Sequence, residues 1–278
     1  MTMRNKCGWW LIAATLLILP GCNQSKREET SMAIATQINR PEWRVLEKMR
    51  VVFGHQSVGW NILNGVELLN TRNGGNLTIR EQRTAPKTHG ISHFAIGNNG
   101  DPLSKIEDFA AAIDAGAAQN ADVALMKLCY IDFNAATDAQ QLANSYIANL
   151  DSLAKRHPKT NFVAVTAPLM AVQTGPKAWL KGLIGKQPGG YVDNLKRAEF
   201  NTLLRKRYLA TGRLFDLARA EAESGGKSCQ ASVNGQIVEA LCPELTNDGG
   251  HLNERGQELV ATAFLNFASS LSTEQVAK

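Results

Sequence analysis

Two stretches of this 278-residue chain carry residue types suited to acyl-transfer chemistry. The first is Val51-Val52-Phe53-Gly54-His55-Gln56-Ser57-Val58-Gly59-Trp60-Asn61-Ile62-Leu63. In it an apolar, β-prone run passes a glycine and leads into Val58, Ile62, Val66 and Leu69 at helical spacing. Strand, tight turn and helix in that order hold a hydroxyl at a strand end beside a helix N-terminus, where unpaired N–H groups favour developing negative charge. Gly54 is the residue able to supply an unusual backbone angle in that turn. Ser57 then reads either as a helix cap, a role serine commonly fills, or as a nucleophile. The second stretch is Thr246-Asn247-Asp248-Gly249-Gly250-His251-Leu252-Asn253, ahead of a helix from about Glu254. Asp248 and His251 stand three apart, so the carboxylate can hold one imidazole nitrogen while the other faces outward as a base. Those are the two partners a serine nucleophile needs.

With a serine just after the first strand and an Asp-x-x-His before the last helix, residues 48–271 resemble the SGNH, or GDSL-like, hydrolase superfamily. The resemblance implies a flavodoxin-like fold and a serine esterase working through an acyl-enzyme, with Ser57 attacking, His251 moving the proton and Asp248 orienting His251. It implies no metal and no organic cofactor. It also implies an oxyanion site built from the nucleophile's N–H, a glycine N–H and an asparagine side chain. Gly97 or Gly100 is the candidate glycine, and Asn99 or Asn134 the candidate side chain. Two departures stand out: Gly54-His55-Gln56-Ser57 replaces Gly-Asp-Ser, and Cys129-Tyr130-Ile131-Asp132 replaces Gly-x-Asn-Asp. An O-acetyl group on envelope or extracellular glycan is the substrate class the resemblance suggests, with lipid esters as the other. An acyltransferase with the same triad and a non-catalytic glycan-binding protein of the same fold are the rival readings.

Three more residues are candidates for the pocket. His55 either hydrogen-bonds near the serine, contacts substrate or packs under the turn. Lys127 falls inside an apolar strand, where burial demands a charged partner; Asp132 is one candidate, in a structural pair or a catalytic role. Asp132 otherwise shapes the pocket rim.

Bringing these residues together is a task for parallel strands that end on one rim. Strands are expected at residues 50–53, 77–80, 122–130, 161–166 and 213–217, with a long loop over 81–100. Helices are expected at 43–49 and 57–70, and from Asp101-Pro102, with Leu103, Ile106, Phe109 and Ile113 inward. Another begins at the capping box Thr137-Asp138-Ala139-Gln140 and buries Leu142, Tyr146, Leu150 and Leu153. Further helices cover 191–209 and the segment from Glu254, whose Val260, Phe264, Phe267 and Leu271 form one face. This alternation specifies the α/β class, a three-layer α/β/α sandwich on a mainly parallel sheet, and the resemblance implies that the sheet is flavodoxin-like. Ligands bind outside the carboxyl ends of such strands, which gathers Ser57, the Gly97–Gly100 loop, residues 131–134 and the Asp248–His251 loop at one edge. Residues 172–190 mix Trp179, Leu180, Leu183 and Ile184 with Lys177, Lys181 and Lys186. They read as a pocket cover, a small packed amphipathic helix or a membrane contact.

At the N-terminus, Arg4 and Lys6 precede an apolar run over 7–19 that is too short for a comfortable membrane span. Leu19-Pro20-Gly21-Cys22 resembles a bacterial lipobox. That implies a signal peptide over 1–21, a lipidated Cys22, a tether over 22–42, a domain over 43–278 and, from Asn23, outer-membrane sorting in a diderm. An ordinary secretory leader is the alternative. Loss of the two leader charges lowers the net charge from +5 to +3. The chain carries no nucleic-acid motif, and Arg205-Lys206-Arg207 reads as a solvated helix face. Cys129 lies in an apolar strand, whereas Cys229 and Cys242 flank a short segment and form a candidate disulfide in an oxidising compartment. Zinc has no ligands there at usual spacing. The expected partners are an acylated glycan or other ester and, through the anchor, a membrane of the bacterial envelope.

Overall fold

The first strand, β1 (Arg50–His55), alternates its side chains between two apolar layers, because successive residues of a strand face opposite sides. Val51 and Phe53 enter one core, and Val52 the other. This computed structural model describes residues 40–173, 175–184, 188–233 and 235–275; the expected leader, Cys22 and the tether up to residue 39 lie outside the described residues.

β1 is joined in one sheet by β2 (Ile79–Glu81), β3 (Gly90–Ala95), β4 (Val123–Met126), β5 (Asn161–Val165) and β6 (Leu214–Phe215). The order is β2-β3-β1-β4-β5-β6 and every pairing is parallel. One face is covered by α1 (Arg40–Leu46), α2 (Val58–Arg72), α7 (Leu217–Ala222) and α8 (Glu254–Gln275). The other is covered by α3 (Pro102–Ala112), α4 (Ala139–Arg156) and α6 (Val192–Tyr208). The three-layer α/β/α sandwich therefore stands, and without the edge strand β2 the sheet has the flavodoxin-like order.

Several helix starts follow local chemistry. Asp101 accepts from the Ser104 N–H at 3.1 Å, with Pro102 in the first turn of α3. In α4 the cap is Asp138, which accepts from the Gln141 N–H at 2.9 Å, and not the expected Thr137. Thr137 is instead occupied as acceptor for the Asn134 N–H.

Other expectations are corrected by tertiary context. β3 lies inside the segment expected as loop; its Ser92 and His93 interrupt an apolar pattern, yet both are buried because each has a polar partner, Gln82 and His55. The Gly97–Gly100 loop consequently follows β3. Leu103 is 48% exposed and does not face the core. Gly54 has no positive φ; it sits in β1, where a Cβ would come within 2.6 Å of the Phe109 ring. Arg205 is no solvated lysine-like charge: it bonds Asp216 and Glu239. Residues Gly175–Leu183 form a helix, α5, with Leu180, Leu183 and the adjacent Ile184 exposed. Two hairpins complete the chain, β7 (Glu223–Ser224) with β8 (Lys227–Ser228), and β9 (Gln230–Val233) with β10 (Gln236–Glu239). Cys229 and Cys242 are disulfide-bonded across the second hairpin.

Candidate active site

The turn after β1 places the strain on the serine itself. Ser57 adopts φ 50°, ψ −109°, a conformation uncommon for a residue with a Cβ and one that concentrates at functional positions. Its hydroxyl makes no capping bond to α2. It lies 2.7 Å from His251 Nε2, across a sequence separation of 194 residues. His251 Nδ1 is 2.6 Å from Asp248 Oδ2. An ionised carboxylate only accepts, so Nδ1 carries the proton and Nε2 is left as acceptor toward Ser57.

The Asp248–His251 loop is held from several sides. Asp248 Oδ1 accepts from the N–H groups of Gly250 at 2.9 Å and His251 at 2.8 Å. Partial burial works against ionisation, but those two N–H groups and the imidazole hold the Asp248 carboxyl well below the usual carboxylate range. The Gly249 carbonyl accepts from Ala171, beyond β5, and the Leu252 N–H donates to Asn61 on α2 at 3.1 Å. That last bond ties the histidine loop to the helix that Ser57 precedes. The His251 and Asp248 side chains are 45% and 55% exposed, so the site is an open rim and not a deep cavity.

Around it the candidate donors divide. The Gln56 side-chain amide donates to the carbonyls of Ile96, at 2.6 Å, and Gly97, clamping their loop to the Ser57 turn. The N–H of Gly97 is donated to Asp108 at 2.9 Å and that of Gly100 to Asp132 at 2.9 Å, so neither glycine offers a free N–H. Asn134 is exposed, and its side-chain Oδ1 accepts from the Ala136 N–H at 2.9 Å in a local turn before α4. Asn99 likewise accepts through Oδ1, here from the buried Lys105 Nζ at 3.0 Å, which anchors the amide by its oxygen and leaves donation to its NH2.

The expected Lys127–Asp132 pair does not form. Asp132 is taken by Lys105, whose ammonium is 2.7 Å from each of its oxygens with both side chains fully buried. Asp132 also accepts from the Cys129 N–H at 2.6 Å. Lys127 instead donates to the Leu128 carbonyl and contacts Cys129 Sγ at 3.4 Å; burial lowers its pKa. His55 packs under the turn, with Nε2 3.2 Å from His93 Nδ1 and Trp60 edge-on at 5.3 Å. Burial first, then Lys127 and His93, push its pKa down to about 2, so it stays neutral and away from proton transfer.

Tyr130 belongs to the site although neither its type nor its spacing marks it as a candidate. Its hydroxyl is 3.4 Å from both imidazole nitrogens of His251 and interacts with the Ser57 hydroxyl. The available signal is its position, within the four residues that replace Gly-x-Asn-Asp.

No protein-family model and no curated protein matches the sequence. Solved structures do. A carbohydrate esterase family 3 protein from Talaromyces cellulolyticus is 13% identical, with 81% of this chain and 99% of that one covered and a TM-score of 0.48. A member of the lipolytic protein G-D-S-L family from Veillonella parvula is 13% identical, with 78% and 96% covered and a TM-score of 0.46. The periplasmic domain of a lipopolysaccharide acetyltransferase from Salmonella ser. Paratyphi A is 11% identical, with 87% and 96% covered and a TM-score of 0.44. Its structural neighbours thus include lipolytic G-D-S-L proteins and esterases.

Proposed function

We propose that the protein is a serine esterase in which Ser57, His251 and Asp248 act as one unit. The observation that carries this is the continuous relay from Ser57 Oγ through the imidazole to the Asp248 carboxylate, at 2.7 and 2.6 Å. In the reaction Ser57 Oγ adds to the ester carbonyl as its proton passes to His251 Nε2. Asp248 stabilises the imidazolium, which then protonates the departing alcohol. Water repeats the sequence in reverse and releases the acid. The Ser57 N–H, at the start of α2, and the oriented Asn99 amide are the proposed donors to the oxyanion. An exposed relay suits an ester presented on a bulky, solvent-borne molecule, and an O-acetylated glycan is the proposed substrate class. The same triad serves an acyltransferase if a sugar hydroxyl replaces water, and adding acyl acceptors to a turnover assay separates the two.

Cys22 is proposed to carry lipid and to tether the domain to a bacterial envelope membrane, on the strength of Leu19-Pro20-Gly21-Cys22. The mass of the mature N-terminus tests it: acyl chains on Cys22 are expected, and an unmodified start elsewhere would remove the anchor. The esterase reading is tested by hydrolysis of a small acetyl ester. Wild-type protein should turn it over and Ser57→Ala should not; equal rates would leave a binding protein of the same fold.

A further inference from the structure

Stabilising the tetrahedral intermediate of ester cleavage requires donors aimed at the oxygen that gains charge. Two of the four sequence candidates, Gly97 and Gly100, have their N–H groups committed to Asp108 and Asp132, which leaves the side-chain amides of Asn99 and Asn134 of those four. The phenol of Tyr130 stands at the reacting atoms, and besides His251 its side-chain partner there is the hydroxyl of Ser57, the group that would attack. At 3.4 Å from each His251 nitrogen it is too far for a strong hydrogen bond to either. Both nitrogens already have shorter partners, in Asp248 and Ser57.

The group is also held in place. Arg197, buried on α6, donates to the Tyr130 carbonyl at 2.5 Å. The ring lies against Gly250, where a Cβ would come within 2.7 Å of Cζ, so any larger residue at 250 would push the phenol out. It meets the His251 ring edge-on at 5.5 Å. Partial burial and the negative charge of Asp248 raise its pKa, which keeps the hydroxyl protonated and able to donate at neutral pH.

We infer that the Tyr130 hydroxyl is a catalytic donor, hydrogen-bonding the substrate's acyl oxygen as it becomes the oxyanion in place of a glycine N–H. The inference rests on the esterase reading. No proton leaves Tyr130 in this role; it strengthens one hydrogen bond as Ser57 adds and relaxes it as the carbonyl re-forms.

Tyr130→Phe keeps the ring and removes only the oxygen. Its kcat on an acetyl ester should fall by about 10²–10³-fold, the usual loss for one oxyanion donor, with KM little changed. Affinity for a trifluoromethyl ketone, which forms a tetrahedral oxyanion adduct on an activated serine, should fall in parallel. A variant with wild-type kcat overturns the inference, and so does one whose kcat falls while ketone affinity holds. A wild-type protein that neither hydrolyses ester nor binds the ketone removes the esterase reading first, and this inference with it.

Discussion

At Ser57 the backbone is held at a positive φ so that the hydroxyl turns from its own helix toward His251. Asp248 is kept ionised by donors that belong to its own loop, so it remains a carboxylate well into acid. The three groups should therefore fail together. Ser57→Ala and His251→Ala are each expected to lower kcat by several orders of magnitude, with the double variant no worse than either, because a nucleophile and its base, the roles proposed for them, act as one unit. Asp248→Asn should lose no more than these, since it disturbs orientation and charge and leaves the attacking group in place. His55→Ala is the control. Its neutral, packed imidazole bonds His93, so stability should suffer more than kcat. A loss of kcat from His55→Ala as deep as that from His251→Ala would assign the base to the wrong histidine.

Among the elements, the loop after β3 and the chain leaving β4 are fastened to each other by the buried Lys105–Asp132 pair. Removing one partner strands the other: Lys105→Met should cost about 3–5 kcal/mol of stability in urea unfolding, and Lys105→Met with Asp132→Asn should recover part of it. A single variant costing less than about 1 kcal/mol would mean that the pair does not hold the loop. Elements with local signals were legible in the sequence: Asp101-Pro102 announces α3, and Val260, Phe264 and Leu271 announce α8. The Asp-x-x-His loop was legible for the same reason, since its geometry is set within four residues. β3 was not, because Ser92 and His93 look solvated until Gln82 and His55 are known to meet them. Nor was the donor set, because whether the N–H of Gly97 or Gly100 is free depends on Asp108 and Asp132, remote in sequence. Lys105 shows the same limit: a lysine on a helix reads as exposed, and Asp132, with Asn99 beside it, makes its burial tolerable.

Across the whole molecule, the layers bring distant chemistry to one rim and bury titratable groups beneath it. Glu221 on α7 is fully buried, with one oxygen accepting from Leu169 at 2.6 Å and the other without a partner among the described residues. Burial raises its pKa to about 8 from an ordinary 4.5, against the opposing pull of the Leu169 N–H, Lys127 and Arg197. The native state thus holds a proton that the unfolded chain has released between those values, so this group's contribution to stability falls as pH rises through that window. Glu221→Gln should flatten the loss, gaining thermal stability relative to wild type at pH 8 compared with pH 5, by a few kcal/mol at most. A difference independent of pH would show that Glu221 is ionised throughout. The central claim is that the fold activates Ser57 with a histidine 194 residues away. Its most direct measurement is reaction of the native protein with a fluorophosphonate, followed by mass mapping of the adduct. One adduct is expected, on Ser57, absent in Ser57→Ala and forming far more slowly in His251→Ala; an unmodified protein, or an adduct on another residue with Ser57 untouched, would mean that Ser57 is not activated.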